Sequence, residues 1–311
     1  MFCMYCGQEL PDGARFCMKC STQQGQVSPT NDSKNVYIPN KENLLKRIEM
    51  LLEDGDFDGV KAKCDYMLDY DPTYGKMYFY MLLADLKCQW PGELKELRKS
   101  FEDNPYYIRA MQFCDEAEKW ELKDNLRTLK RRMLNDPRKG EIIYFGVHFM
   151  GTSRMAFKVL DVTDTDALIF ATKLDIQNFL NKVGGETDWE SCSIRNCFSD
   201  MKEHYAYEER MRIIGEFSLL TVEEAQRYFS SDQERALGAS WWLRPSEEHF
   251  SKAPYVDENG AIITDGDPIE TVKCIMPVMR IKIHYNPYND PNFDWTKAEQ
   301  LHMNSGIRKI K

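Results

Sequence analysis

At 311 residues, with 42% hydrophobic, 12% aromatic and 29% charged side chains, the chain has the composition of a soluble folded protein long enough for two or three modules. Its net charge of -9, from 41 Lys and Arg against 50 Asp and Glu, argues against a broad non-specific grip on nucleic acid, which depends on neutralising phosphates. No apolar run approaches the roughly 20 residues that span a bilayer, and the opening residues carry a metal motif instead of a signal peptide, so the expectation is a cytoplasmic protein.

The first element is Cys3-Met4-Tyr5-Cys6-Gly7, followed by Cys17-Met18-Lys19-Cys20. Two Cys-x-x-Cys pairs supply four soft thiolate ligands, the donor set of a tetrahedral structural zinc site. With Cys3, Cys6, Cys17 and Cys20 all on the metal, no position stays open for water or substrate, so one zinc ion per chain is expected to fold a small ribbon over residues 1–24 rather than to catalyse. Six cysteines remain, Cys64, Cys88, Cys114, Cys192, Cys197 and Cys274, with no paired framework spacing; they read as reduced, mostly buried thiols.

Residues 25–40 are polar and poor in apolar side chains, a flexible linker. From Lys41 the period becomes helical, with Leu44, Leu45, Ile48, Leu51 and Leu52 on one face. Gly55-Asp56 breaks that helix, a second runs from Phe57 to Leu68, Asp71-Pro72 stops it, and a third from near Tyr74 carries Tyr78, Leu82 and Leu86 as its stripe. This order resembles a tetratricopeptide repeat, with Gly55, Phe57 and Pro72 at the turn glycine, aromatic and terminal proline. Arg47-Ile48 and Cys64 depart from the pattern. Further on, the sequence predicts a short charged helix over Glu93 to Phe101 and a longer one opened by Pro105, with Leu122, Leu126, Leu129 and Met133 keeping the period to Asp136-Pro137. The segment 41–139 is thus all-α, either a spacer or a peptide-binding groove.

At Gly140 the character changes. Glu141 to Phe149, Phe157 to Val162 and Ala167 to Thr172 read as a meander of strands. Asp188 is placed to cap a helix carrying Ile194, Cys197 and Phe198, and Thr221 to Glu224 is a capping box. Trp241-Trp242-Leu243-Arg244 follows, then a hairpin around Glu258-Asn259-Gly260, then a last strand from Val272 to Ile283 interrupted at Pro277. Residues 140–285 are therefore an α+β domain, and 286–311 a turn-rich tail ending in Arg308, Lys309 and Lys311.

The order of these features resembles an uncharacterised bacterial domain family whose signature is a Trp-Trp-Leu-Arg box. Its marks are Tyr144-Phe145-Gly146, Phe157-Lys158-Val159-Leu160, Trp189 with Ser193-Ile194-Arg195, Phe217 to Thr221, Glu224-Ala225, Tyr228-Phe229 and the box itself. The layout is similar to C-type-lectin-like and formylglycine-generating-enzyme-like folds. Where the family has Gly-Val-Arg-Pro, this chain reads Cys274-Ile275-Met276-Pro277, losing the glycine and the arginine.

Trp189, Arg195, Trp241, Trp242 and Arg244 are the candidate ligand-binding residues. Rigid aromatics stack on sugars or peptides and arginines hold carboxylate or phosphate bidentately, but adjacent tryptophans also build cores and a neighbouring arginine also pairs internally. Catalytic signals are sparse. On one continuous helix Cys192 and Cys197 would fall about 140° apart, and the five histidines form no HExxH or other metal pattern. The reading is a multi-module zinc-binding scaffold that recruits unidentified protein partners, with neither membrane nor nucleic acid as its target. The alternative is an enzyme or ligand-dependent regulator with its site near Trp242 and Arg244.

Overall fold

The structure, a computed structural model, describes residues 9, 11, 41–147, 154–172, 177–203, 205–246 and 248–298. Cys3, Cys6, Cys17, Cys20, the linker and the last cations of the tail lie outside them.

Five helices come first: α1 (Lys41–Glu53), α2 (Phe57–Leu68), α3 (Gly75–Asp85), α4 (Pro105–Phe113) and α5 (Glu116–Asn135). Their boundaries have local causes. Gly55 takes the left-handed conformation (φ +72°) after α1, and the Asp56 carboxylate accepts from Gly59 N at 2.9 Å to start α2. Asn104 accepts from Tyr106 N at 2.9 Å with Pro105 in the first helical position, and Asp115 accepts from Glu118 N at 2.8 Å.

Three expectations are corrected here. The segment after Trp90 is a 3-10 turn, Pro91–Glu96, followed by extended chain, because Arg132 reaches from α5 to hold the Lys95 carbonyl at 3.1 Å and the Leu97 carbonyl at 2.5 Å. The long helix from Pro105 is two helices, divided at Cys114-Asp115 where Asp115 caps a new start. Finally, α3 has no single stripe: Met77, Phe79, Tyr80, Met81, Leu82, Leu83 and Ala84 are all buried because the helix packs between α2 and α4, while Tyr78 and Leu86 are only half-buried.

That close fit depends on Gly75. A Cβ at this position would stand 2.3 Å from Cys114 N and 2.4 Å from its Cα, backbone atoms that have nowhere to go. Gly75→Ala is therefore expected to destabilise by about 1–3 kcal/mol through overpacking, despite alanine's better helix propensity. A urea titration in which the variant unfolds at or above the parent midpoint would contradict this.

The rest is two mainly antiparallel sheets with short helices between strands. The strands are β1 (Ile142–Val147), β2 (Arg154–Val162), β3 (Asp166–Ala171), β4 (Gln177–Phe179), β5 (Ile213–Ser218), β6 (Trp241–Trp242), β7 (Lys252–Val256), β8 (Ile262–Pro268), β9 (Val272–Cys274) and β10 (Val278–Lys282). The helices are α6 (Ile194–Glu203), α7 (Tyr207–Arg210), α8 (Val222–Tyr228) and α9 (Asp232–Arg235). One five-stranded sheet has the order β1-β2-β3-β10-β5 and the other β4-β9-β6-β7-β8, the single parallel contact being β6 with β9. The Thr221 capping box opens α8, Thr221 Oγ1 accepting from Glu224 N at 3.2 Å and Glu224 Oε2 from Thr221 N at 2.9 Å.

Two more expectations change. The interrupted last strand is two strands in two sheets: β9 belongs to one, β10 to the other, and Ile275-Met276-Pro277 crosses between them. Asp188 does not cap α6, which begins at Ile194; its carboxylate accepts from Ser191 N at 2.8 Å and closes a separate turn.

The helices and sheets share one continuous apolar core. At their junction Arg98 donates from Nε and Nη2 to the two carboxylate oxygens of Glu141, 2.7 and 2.6 Å, and from Nη2 also to the Asp136 carbonyl at 2.7 Å. Beside it Lys130 lies 4.0 Å over the Tyr144 ring. The start of the tail packs on α7, where Tyr207 Oη accepts from Asp294 N at 2.9 Å beside Phe293. Among the described residues no helix is long and apolar enough to cross a membrane.

Candidate functional site

The tryptophan box is built from strand alternation. Adjacent residues of a strand point to opposite faces, yet Trp241 and Trp242 are both 0% exposed, so both faces of β6 are covered. Trp241 faces the other sheet, 5.3 Å from Phe170 and 6.4 Å from Phe229 between ring centroids, with Nε1 donating to the Arg235 carbonyl at 3.1 Å. Trp242 donates from Nε1 to the Asn178 carbonyl at 3.3 Å and meets Tyr255 edge-on at 6.3 Å.

The chain itself fills the ligand position on Trp242. The Lys273 ammonium lies 5.2 Å from the Trp242 ring and 3.6 Å from the Tyr255 ring, and pairs with Asp267 at 2.6 Å. With its side chain only 8% exposed, Lys273 closes that aromatic face. Neither tryptophan of the box offers a surface for stacking.

Trp189, Arg195 and Arg244, by contrast, come together. The turn from Asp188 to Cys192 presents Trp189: Ser191 Oγ donates to Asp188 Oδ2 at 2.7 Å, Cys192 N donates to the Asp188 carbonyl at 3.1 Å, and the Cys192 thiol donates to the Trp189 carbonyl at 3.1 Å. Hydrogen bonds from the Ser191 hydroxyl and backbone hold the Asp188 carboxyl below the usual carboxylate range. A paired bridge between Thr187 and Phe250, 3.0 and 2.8 Å, ties the turn to the segment after the box. Arg244 is fixed through its backbone, Arg244 N donating to the Leu220 carbonyl at 2.8 Å.

Both guanidiniums then lie over one half-buried indole: Arg195 Cζ is 6.0 Å and Arg244 Cζ 5.8 Å from the Trp189 ring centroid. Arg195 pairs with the exposed Glu190 at 3.0 Å, a solvated contact that a ligand displaces at little expense. Arg244 donates to Ser218 Oγ at 3.3 Å and has no carboxylate partner among the described residues. Two cations near one indole, one of them without an acid among the described residues, favour an anionic group.

Four of the described thiols are poor nucleophiles. Burial pushes Cys64 and Cys114 up to about 12 and Cys88 and Cys192 up to about 11, so these sulfurs stay protonated. Cys192 also precedes α6, so the expected 140° separation from Cys197 on one helix does not apply. Among the described residues, no three His, Cys, Asp or Glu side chains group to hold a metal.

Sequence reasoning missed Lys273 and Ser218. A lysine between Val272 and Cys274, inside an otherwise apolar run, was the available signal for a buried cation. Ser218 lies within the Phe217 to Thr221 mark, but nothing local gives it a role toward Arg244.

Residues 2–23 match the family model of the zinc-ribbon domain, a class associated with binding zinc or nucleic acid. The four thiols in two Cys-x-x-Cys pairs are the donor set such a ribbon uses, and Cys3, Cys6, Cys17 and Cys20 would hold the ion. No curated protein and no solved structure matches the chain.

Proposed function

We propose that this protein is a zinc-ribbon-bearing recognition protein without catalysis of its own, whose C-terminal α+β domain binds an acidic or phosphorylated segment of a protein partner at Trp189, Arg195 and Arg244. One observation carries this reading: Arg244, held over Trp189 with no acid of its own among the described residues. The consecutive packing of α1 to α4 supports a tetratricopeptide-like second surface for the same role. The resemblance to the Trp-Trp-Leu-Arg family and to C-type-lectin-like folds belongs to the same proposal; two sheets pinned by one final segment support it.

The test is an array of acidic and phosphorylated peptides probed with the full chain and with Arg195→Gln and Arg244→Gln. Loss of one charge-assisted pair is expected to weaken binding about tenfold or more per arginine. If no acidic peptide binds the parent, or both variants bind as the parent does, the reading fails.

A further inference from the structure

Asn259-Gly260, in the turn between β7 and β8, is the one Asn-Gly pair in the chain, and it takes no part in the site at Trp189. Asn259 is exposed and Gly260 buried. An asparagine followed by glycine is chemically labile, because no side chain shields the next backbone nitrogen from the carboxamide. The reaction needs no enzyme. Gly260 N loses its proton and attacks Asn259 Cγ; the N–Cγ bond forms, the Cγ–Nδ2 bond breaks, and ammonia leaves with that proton. Water then opens the cyclic imide at either carbonyl, its hydroxyl completing the new acid and its proton returning to Gly260 N. Opening at Cγ gives aspartate. Opening at the main-chain carbonyl gives isoaspartate, in which the backbone runs through Cβ and Cγ.

The fold restrains both partners of this reaction. Gly260 N donates to the Asp257 carbonyl at 3.1 Å, so the attacking N–H is already engaged. Asp257 Oδ1 accepts from Asn259 N at 2.9 Å and from Ala261 N at 2.8 Å, while Asp257 N donates to the Ala261 carbonyl at 2.9 Å. Gly260 is in the left-handed conformation (φ +90°), and a Cβ there would stand 1.8 Å from the Asp232 carbonyl oxygen. Its own carbonyl accepts from Arg235 Nε at 2.9 Å. The imide closes only when the Gly260 N–H leaves the Asp257 carbonyl, so the turn has to open first.

Arg235 connects this turn to the core. It is buried, donates from Nη1 to the Phe229 carbonyl at 3.3 Å, pairs with Asp232, and offers its carbonyl to Trp241 Nε1 at 3.1 Å. An isoaspartyl linkage puts an extra carbon into the backbone just before Gly260. The glycine carbonyl then cannot stay on Arg235 with β7 and β8 in register, and a buried guanidinium N–H loses its acceptor.

We propose that Asn259 is a self-modification site, which deamidates with Gly260 N and water when the β7–β8 turn opens and whose isoaspartyl product keeps the turn from closing again. The product is an irreversible record of local opening.

Mass-spectrometric peptide mapping of the full chain tests it, during incubation at mildly alkaline pH with and without unfolding concentrations of urea. Asn259 is expected to become acidic at least about tenfold more slowly in the folded chain than in the unfolded one. Asp257→Ala takes the acceptor from two backbone N–H groups of the turn and should speed the folded-state reaction about tenfold, whereas Asp257→Asn keeps an acceptor oxygen and should stay within about threefold of the parent. The isoaspartyl form, separated by chromatography, should melt a few degrees below Asn259→Asp, which has a normal backbone and should melt with the parent. The proposal is overturned if Asn259 stays an amide in urea, if the folded chain reacts as fast as the unfolded one, if Asp257→Ala leaves the folded-state rate unchanged, or if the isoaspartyl form melts with Asn259→Asp.

Discussion

Trp241→Ala is expected to lose about 3–5 kcal/mol of stability, the range for truncating a fully buried large aromatic. The indole is 0% exposed and spans the gap between the two sheets, against Phe170 of β3 and Phe229 after α8. Removing it leaves a cavity walled by strands that cannot close without breaking register, and strips the Arg235 carbonyl of its donor. Arg235 is itself buried and donates to the Gly260 carbonyl at 2.9 Å, so the loss spreads to the β7–β8 turn. Trp241→Phe refills most of the volume and should recover more than half of the loss. The measurement is chemical unfolding followed by a probe other than tryptophan fluorescence; a loss below about 1 kcal/mol would mean that the sheets do not depend on this side chain.

Cys17→Ser is expected to remove the zinc, taking metal content from one equivalent per chain to none after dialysis against a mild chelator. A structural ribbon draws its folding free energy from the metal, about 10–16 kcal/mol of apparent binding in small zinc-finger peptides at neutral pH. Three thiolates and a hydroxyl cannot sustain that affinity. Because the ribbon is small and the body has its own core, the main thermal transition should stay with the parent. Metal analysis with protease mapping reads both effects: the variant should be cut within residues 1–24 while fragments from Lys41 onward persist. Equal zinc in parent and variant would refute the assignment of Cys17 as a ligand.

How much of this was legible beforehand depended on the range of the interactions. The Gly55-Asp56 break, the Thr221 capping box and the three-strand meander were readable because their causes lie within a few residues. The division at Cys114 also has a local cause, the Asp115 cap on Glu118 N, hidden by the apolar period that runs on to Met133; what no local signal carries is the close fit there of Gly75 against the Cys114 backbone. The same limit hid the two-sheet fate of the last strand: Pro277 marked an interruption, but no local signal says that β9 pairs with β4 while β10 pairs with β3 and β5.

At the site, residue types carried further than roles. Two arginines and a tryptophan could be singled out, yet their meeting depends on a turn held by Ser191 and Phe250. Trp242 carried both readings, core residue and stacking surface, and the Lys273 ammonium on its ring, from a strand thirty-one positions later in the numbering, decides between them.

The crossing at Ile275-Met276-Pro277 also sets an order of events on the ribosome. Helices α1 to α5 make contacts close in sequence and can pack as they emerge. Neither sheet can. β9 and β10 are interior strands, one in each sheet, and both come near the end of the described residues. Until Lys282 is free, β3 and β5 have no partner between them, and β4 and β6 lack theirs. The nascent domain therefore has four open strand edges until then, the kind of unpaired edge that pairs with other chains. A stop codon between Gly140 and Pro277 would make that pause permanent, leaving the helical part attached to strands that lack their central partners.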